Sequence, residues 1–186
     1  ARERNTSGDI VTTGGSGFGI MAMVVAMERG FITRAQGLAQ MDKILDFLET
    51  CDRYHGAWPH WLNGSTGRIV PFSEKDNGGD LVETSFLIQG LVTFRQYLDP
   101  AVPAEQQLID RINVLWHGVE YDFFTQGQKA LYWHWSPNYG FQINMILRGY
   151  NETLICYVLG AGSPTHTISR DTYRYGYMND GAIMNG

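Results

Sequence analysis

Segments that are apolar on every side alternate along this chain with segments that are apolar on one side only. That alternation restricts its fold more than any other feature. Residues 16 to 29 read Ser-Gly-Phe-Gly-Ile-Met-Ala-Met-Val-Val-Ala-Met-Glu-Arg, which as a helix calls for burial all round. Gly30 then acts as a stop and Thr33 as an N-cap. Residues 34 to 52 place Leu38, Met41, Ile44, Leu45 and Leu48 in one stripe, with Gln40, Lys43, Asp46 and Glu49 facing water. The pair then recurs. Residues 80 to 97 are largely apolar (Leu81, Val82, Phe86, Leu87, Ile88, Leu91, Val92, Phe94). Residues 104 to 119 are amphipathic, with Leu108, Ile112 and Leu115 opposed to Glu105, Gln107 and Arg111. Residues 141 to 159 are again apolar around Ile143, Ile146, Leu147, Leu154, Ile155 and Val158. A weaker polar helix is expected after Pro164, using Ile168, Tyr173 and Tyr177.

The simplest arrangement is all-α, with inner helices lining a barrel and amphipathic helices sheathing it. Loop lengths agree. Inner-to-outer links are short, around Gly30 to Thr33, Asp99 to Pro103 and Gly160 to Pro164. Outer-to-inner links are long, 54 to 79 and 120 to 140, so the long loops gather on one face, where function is usually carried. About three helical hairpins make half of an (α/α)6 toroid. Asn179 to Gly186 offers no closing element, so residues 1–186 read as a single partial catalytic domain.

The 186 residues suffice for one domain with a core, and 44% hydrophobic content marks it as globular. A net charge of −5 argues against nucleic acid or an anionic membrane as partner. No apolar run is long enough for membrane insertion. Cys51 and Cys156 have no metal spacing and fall in helical patterns, so both are expected as buried thiols. The start at Ala1 without an initiating Met reads as a trimmed chain. The absence of a signal segment therefore says nothing about compartment; the expected location is periplasmic or extracellular.

The chemistry concentrates in Lys75-Asp76-Asn77-Gly78-Gly79-Asp80-Leu81-Val82-Glu83-Thr84. Three carboxylates stand at the mouth of an apolar helix, entered by a loop carrying Tyr54, His55, Trp58, His60 and Trp61. Packing acids together costs repulsion, and Trp rings in a loop leave apolar surface wet. Clustered acids beside aromatic faces are what hydrolysis of a sugar polymer needs. Asp80 and Glu83, three apart, share a helix face. Capping also explains them, with Asp80 as N-cap and Glu83 as its capping-box partner. Helix-terminal dipoles favour their ionised forms, which suits a base or a clamp on sugar hydroxyls. Glu152 lies inside the third apolar segment, where desolvation would raise its pKa and fit it for general-acid work; pairing with Arg148 or with a Lys elsewhere is the structural alternative.

Trp58, Trp61, Tyr132, Trp133, Trp135 and Tyr139 offer stacking faces for sugar rings, and loop packing is the competing explanation. His55, His60, His117, His134 and His166 show no metal-ligand spacing, so no metal or other cofactor is expected. Gly14 to Gly19 lacks the βαβ context of a dinucleotide loop. Its glycines instead allow chain or sugar to approach the first inner helix.

Ala1 to Arg4, Ile10 to Gly19, Glu28 to Arg34, Gly56-Ala57-Trp58-Pro59-His60-Trp61, Asp76 to Thr84, Tyr150-Asn151-Glu152-Thr153 and Ser163 to His166 resemble, in order and over essentially the whole chain, the bacterial glucoamylase-like family. That family includes the endo-β-1,2-glucanases of glycoside hydrolase family 144. The resemblance implies an (α/α)6 toroid that cleaves linear β-1,2-glucan to short sophoro-oligosaccharides, with inversion and without metal. The partner is then an oligo- or polysaccharide, and the full-length protein a monomer. It matches the family's important acids to Asp76, Asp80, Glu83 and Glu152, with Glu152 at the general-acid position. Arg4, Trp58, His60, Trp61, Trp133, Trp135 and Tyr139 form the expected substrate-binding set. The family domain is about twice this length. The linkage preference comes from the resemblance alone. Transglycosylation or phosphorolysis on the same scaffold, or non-catalytic glycan binding, would use the same aromatics. New reducing ends released in water without phosphate mark a hydrolase.

Overall fold

A computed structural model describes residues 1–182. Five α-helices carry most of it: α1 Thr13–Glu28, α2 Arg34–Thr50, α3 Leu81–Tyr97, α4 Pro103–His117 and α5 Leu154–Gly162. A π-helical segment follows at Thr172–Tyr177. α1 packs on α3 and α3 on α5, while α2 packs on α4; α1 also touches α2, and α3 touches α4. The three helices expected inside, α1, α3 and α5, therefore form one row, and the two expected outside, α2 and α4, pack together beside it. Cys51 and Cys156 are buried free thiols. Of the expected unclosed terminus, the last four residues lie outside the described range. Among the described residues no helix is long and apolar enough to cross a membrane.

Local chemistry explains where the helices begin. At α2, Gln36 N–H donates to Thr33 Oγ1 at 3.2 Å and Thr33 N–H donates back to Gln36 Oε1 at 2.8 Å, a reciprocal cap. α4 opens on Pro103, whose missing N–H is needed by no helical bond there. The two outer helices are clipped together by charge. Arg34 Nε donates to Glu105 Oε1 at 2.8 Å, and Asp99 N–H donates to Glu105 Oε2 at 2.7 Å. Glu105 is consequently buried rather than facing water as its place in the amphipathic pattern implied.

The inner row owes its closeness to two glycines. A Cβ on Gly90 would stand 2.3 Å from the Gly17 carbonyl oxygen, and one on Gly17 would stand 2.1 Å from that of Phe86. The obstructing atoms are backbone on rigid helices. Gly90→Ala is therefore expected to destabilise the fold by about 1–3 kcal/mol or more, read as a drop in the denaturation midpoint.

Four expectations need correction. The chain is mostly helical but not all-α. β1 Ile10–Thr12, β2 Trp61–Asn63 and β3 Ile69–Val70 form one antiparallel sheet in the order β1-β2-β3, and β4 Gly79–Asp80 pairs with β5 His134–Trp135. These strands are too short to impose a period-two pattern. The third inner helix does not span 141 to 159. Asn144 and Gly149 adopt φ values of 50° and 95°, and Ile146 bridges Tyr132 in an antiparallel pair. Helix begins only at Leu154. The polar helix after Pro164 is a π-helical segment, with Ile168 and Tyr177 buried and Tyr173 partly exposed. Finally, α1 is not buried all round. Phe18 and Val25 are 52% and 56% exposed, because within the described residues α3 and α2 cover only part of its surface.

Candidate active site

The long loops meet where the inner helices begin. β1 binds β2, so the start of α1 lies beside the loop of residues 54 to 79. β4 binds β5, which ties that loop to residues 120 to 140. Cys156 Sγ lies 3.9 Å from the Leu81 carbonyl oxygen, bringing the start of α5 against that of α3. All three inner N-termini therefore share one face.

Asp80 is the N-cap of α3. Its Oδ1 accepts Val82 N–H and Glu83 N–H, each at 2.9 Å, and its own N–H donates to the Trp58 carbonyl at 3.0 Å. It is fully buried. His60 Nδ1 lies 3.0 Å from Asp80 Oδ2 and 3.9 Å from Asp76 Oδ2. Burial works against a charged His60 ring. The hydrogen bond that the ring donates to Asp80 and the charges of Asp80, Glu83 and Asp76 outweigh it and hold the His60 pKa above its ordinary value. One ligand atom each from His60, Asp76 and Asp80 falls within 4.8 Å of the others. A divalent cation could bridge that spacing, although His60 Nδ1 is already engaged by Asp80.

Glu83 does not complete a capping box. Its Oε2 accepts the Gly14 N–H at 2.8 Å, across from α3 to α1. A Cβ on Gly14 would sit 2.6 Å from that oxygen. What approaches the first helix through its glycines is thus a carboxylate of this chain. The helix dipole that favours an ionised Glu83 is opposed by its surroundings. Burial, then the charge of Asp80, push its pKa up; the Gly14 N–H and His60 oppose this, and Glu152 adds to the rise. A carboxyl with a raised folded pKa stabilises the fold below its unfolded value, about 4.3. That contribution is lost as pH rises through the folded value. Glu83→Gln is therefore expected to melt higher than the unaltered protein at neutral pH, with an advantage that shrinks on acidification. A pH series of thermal melts checks this, and an advantage that grows on acidification would contradict it.

Glu152 is close enough to act on Glu83 through its charge. It is exposed in the turn before α5, not desolvated in an apolar helix. The turn is set by Asn151, whose Oδ1 accepts Thr153 N–H at 3.0 Å.

The aromatic candidates divide. Trp58 is fully buried, with its indole N–H on the Leu48 carbonyl at 3.2 Å and Arg53 stacked 4.0 Å over its ring; it is core, not platform. Trp61 remains half-buried beside the acids, packed against Phe72 at 4.8 Å between ring centroids, and Phe72 packs on His60 at 4.2 Å. Trp135 pairs with Gly79 across the strand, one position from the Asp80–His134 pair. Alternation along a strand turns it to the opposite face, against Tyr54, His55 and Phe123. Trp133 packs on the core. Tyr139 stands at the rim, its hydroxyl on Glu74 Oε1 at 3.1 Å. Arg4 is ion-paired with its neighbour Glu3.

Sequence reasoning missed two participants. Phe72 was readable from its place just before the acid run. His134 had no local signal, because its place opposite Asp80 depends on the strand pairing. Away from the acids, an apolar cavity of about 420 Å³ lies between α1, α2 and the β1–β2 pair, lined among others by Ile20, Met23, Ile44, Phe47 and Leu62.

Fold and site define a class: a helical-hairpin domain whose inner helices gather carboxylates at their N-terminal ends. The chain is similar to proteins of the glucoamylase-like family. The Glycoamylase family model matches residues 144–185. An endo-β-1,2-glucanase from Chitinophaga pinensis, solved with sophorotriose and glucose, is 55% identical with a TM-score of 0.93, over 95% of this chain and 42% of that one. A β-1,2-glucanase structure from Parabacteroides distasonis is 49% identical with a TM-score of 0.88, over 91% of this chain and 25% of that one. An exo-β-1,2-glucooligosaccharide sophorohydrolase acting at the non-reducing end, from the same organism, is 49% identical over 172 residues, which is 91% of this chain and 24% of the relative. The chain thus spans between about a quarter and under half the length of these relatives.

Proposed function

We propose that this chain supplies the acid-bearing part of a glycoside hydrolase that cleaves linear β-1,2-glucan, on an (α/α)6 toroid to which its hairpins contribute. One observation carries the reading. Asp76, Asp80 and Glu83 converge where the inner helices begin, with Glu152 within electrostatic reach, in a chain 55% identical to an endo-β-1,2-glucanase. Trp61 and Phe72 offer the adjoining apolar faces.

Inverting hydrolysis needs one carboxyl to protonate the leaving oxygen and another carboxylate to activate water from the opposite face. Glu152 is the donor that the family resemblance favours. Glu83 is the donor that burial on this chain favours, since its proton is held more tightly than usual. Asp80, fixed by two backbone N–H groups, serves as a charged anchor for His60. Endo cleavage is the preferred mode; exo release of sophorose is the alternative that the sophorohydrolase relative supports.

Two readouts on linear β-1,2-glucan test this with the full-length protein. Early products of mixed chain length support endo action, whereas sophorose alone from the first minutes supports exo action. In proton NMR the first-formed reducing end should be the α-anomer; an initial β-anomer would refute inversion.

A further inference from the structure

We infer that Asn151 is a positioning residue for Glu152: its side chain closes the turn in which Glu152 is the middle residue, and so fixes where that acid stands. This rests on the reading above, in which Glu152 is the donor that the family resemblance favours. A general acid must lie within hydrogen-bond reach of the leaving oxygen. Glu152 is exposed, on a turn between two elements rather than within a helix. Arg148, the ion-pair partner that the sequence suggests for it, donates from Nε to the Gly176 carbonyl at 3.2 Å instead. The backbone must therefore supply the placement.

Asn151 uses both ends of its amide to do so. Its Oδ1 accepts Thr153 N–H at 3.0 Å and the Thr153 hydroxyl at 2.7 Å, and its Nδ2 donates to the Arg148 carbonyl at 2.9 Å. A side-chain oxygen that accepts the N–H two residues on forms an Asx turn. The residues on either side of Glu152 are thereby tied to each other. Thr153 is buried and is the N-cap position of α5, so the turn is also fixed to the helix whose start lies against that of α3.

From the other side the turn rests on the π-helical segment, a local geometry common at functional sites. Gly149, at a φ of 95°, donates its N–H to the Tyr177 carbonyl at 3.2 Å, and the Tyr177 hydroxyl lies 3.5 Å from the Asn151 carbonyl oxygen. That support is tightly packed. A Cβ on Gly176 would stand 2.6 Å from the Tyr157 hydroxyl and 2.8 Å from Ala130 Cα. The Tyr157 hydroxyl is itself held, accepting Leu131 N–H at 3.0 Å and donating to the Leu147 carbonyl at 2.8 Å.

The test is steady-state kinetics of the full-length protein on two substrates, linear β-1,2-glucan and a nitrophenyl sophoroside whose leaving group needs no proton. Asn151→Ala should lower kcat on the glucan by about a hundredfold, the effect of a small misplacement of a reacting group. KM should stay within about twofold, since ground-state binding is untouched. On the nitrophenyl substrate the loss should be much smaller, because misplacing a proton donor harms only a step that needs the proton. Asn151→Ser, which can close a similar turn more weakly, should recover part of the glucan activity; it also replaces Asn151→Ala in the assay if the alanine variant does not fold. In a Glu152→Gln background Asn151→Ala should add little further loss. Equal losses on both substrates would make Asn151 a merely structural residue and overturn the inference. Turnover of glucan lost in Glu152→Gln but kept in Asn151→Ala would sink the inference alone. No turnover of glucan by the unaltered protein, or full turnover by Glu152→Gln, would sink the underlying reading and the inference with it.

Discussion

Glu152→Gln is expected to lower turnover of natural β-1,2-glucan by about 100- to 10,000-fold, the contribution of a general acid, while leaving binding nearly intact. A substrate whose leaving group needs no proton should recover part of that rate. Asp80→Asn and Glu83→Gln should impair both substrates alike, because each removes an orienting or charge-stabilising group. Steady-state kinetics of the three variants in the full-length protein, on both substrates, separate these outcomes. Leaving-group rescue of Glu83→Gln in place of Glu152→Gln would move the donor role to Glu83, in keeping with its burial and the neighbouring charge of Asp80. Unaltered activity of Glu152→Gln on natural glucan would remove Glu152 from the chemistry.

Trp58→Ala and Trp61→Ala should fail in opposite ways. Trp58 is sealed in the core under Arg53, so truncation should cost about 3–5 kcal/mol of stability. Trp61 lies half-buried beside Phe72 and the acids. Its truncation should weaken glucan binding by roughly 1–3 kcal/mol with little change in melting temperature. Thermal melts and affinity measured on both variants decide it. A large melting drop for Trp61→Ala with unchanged affinity would make it a packing residue too.

The helical part of the fold was legible because periodicity reports burial. The one-sided stripe of residues 34 to 52 and the apolar run of 80 to 97 became α2 and α3 within a residue or two. Residues 141 to 153 misled because Ile143, Ile146 and Leu147 have helical spacing, while Asn144 and Gly149 turn the chain and Ile146 pairs with Tyr132. Apolar spacing cannot tell a helix from a loop folded onto the core. In the site, Asp76, Asp80 and Glu83 were visible as a cluster because neighbours in sequence are neighbours in space. Their electrostatics were not. The dipole of α3 argued for an ionised Glu83, but burial under α1 and the charge of Asp80 argue the other way. Trp58 and Trp61 look equivalent in Trp58-Pro59-His60-Trp61; only the register of β1 on β2 and the packing against Arg53 set them apart.

The central claim is that this acid cluster belongs to a hydrolase of β-1,2-linked glucan. The most direct measurement offers the full-length protein a panel of β-1,2-, β-1,3-, β-1,4- and α-1,4-glucans without phosphate and reads new reducing ends. The account predicts release from β-1,2-glucan, lost on Glu152→Gln. Release from another glucan in preference, or none without phosphate, would contradict it.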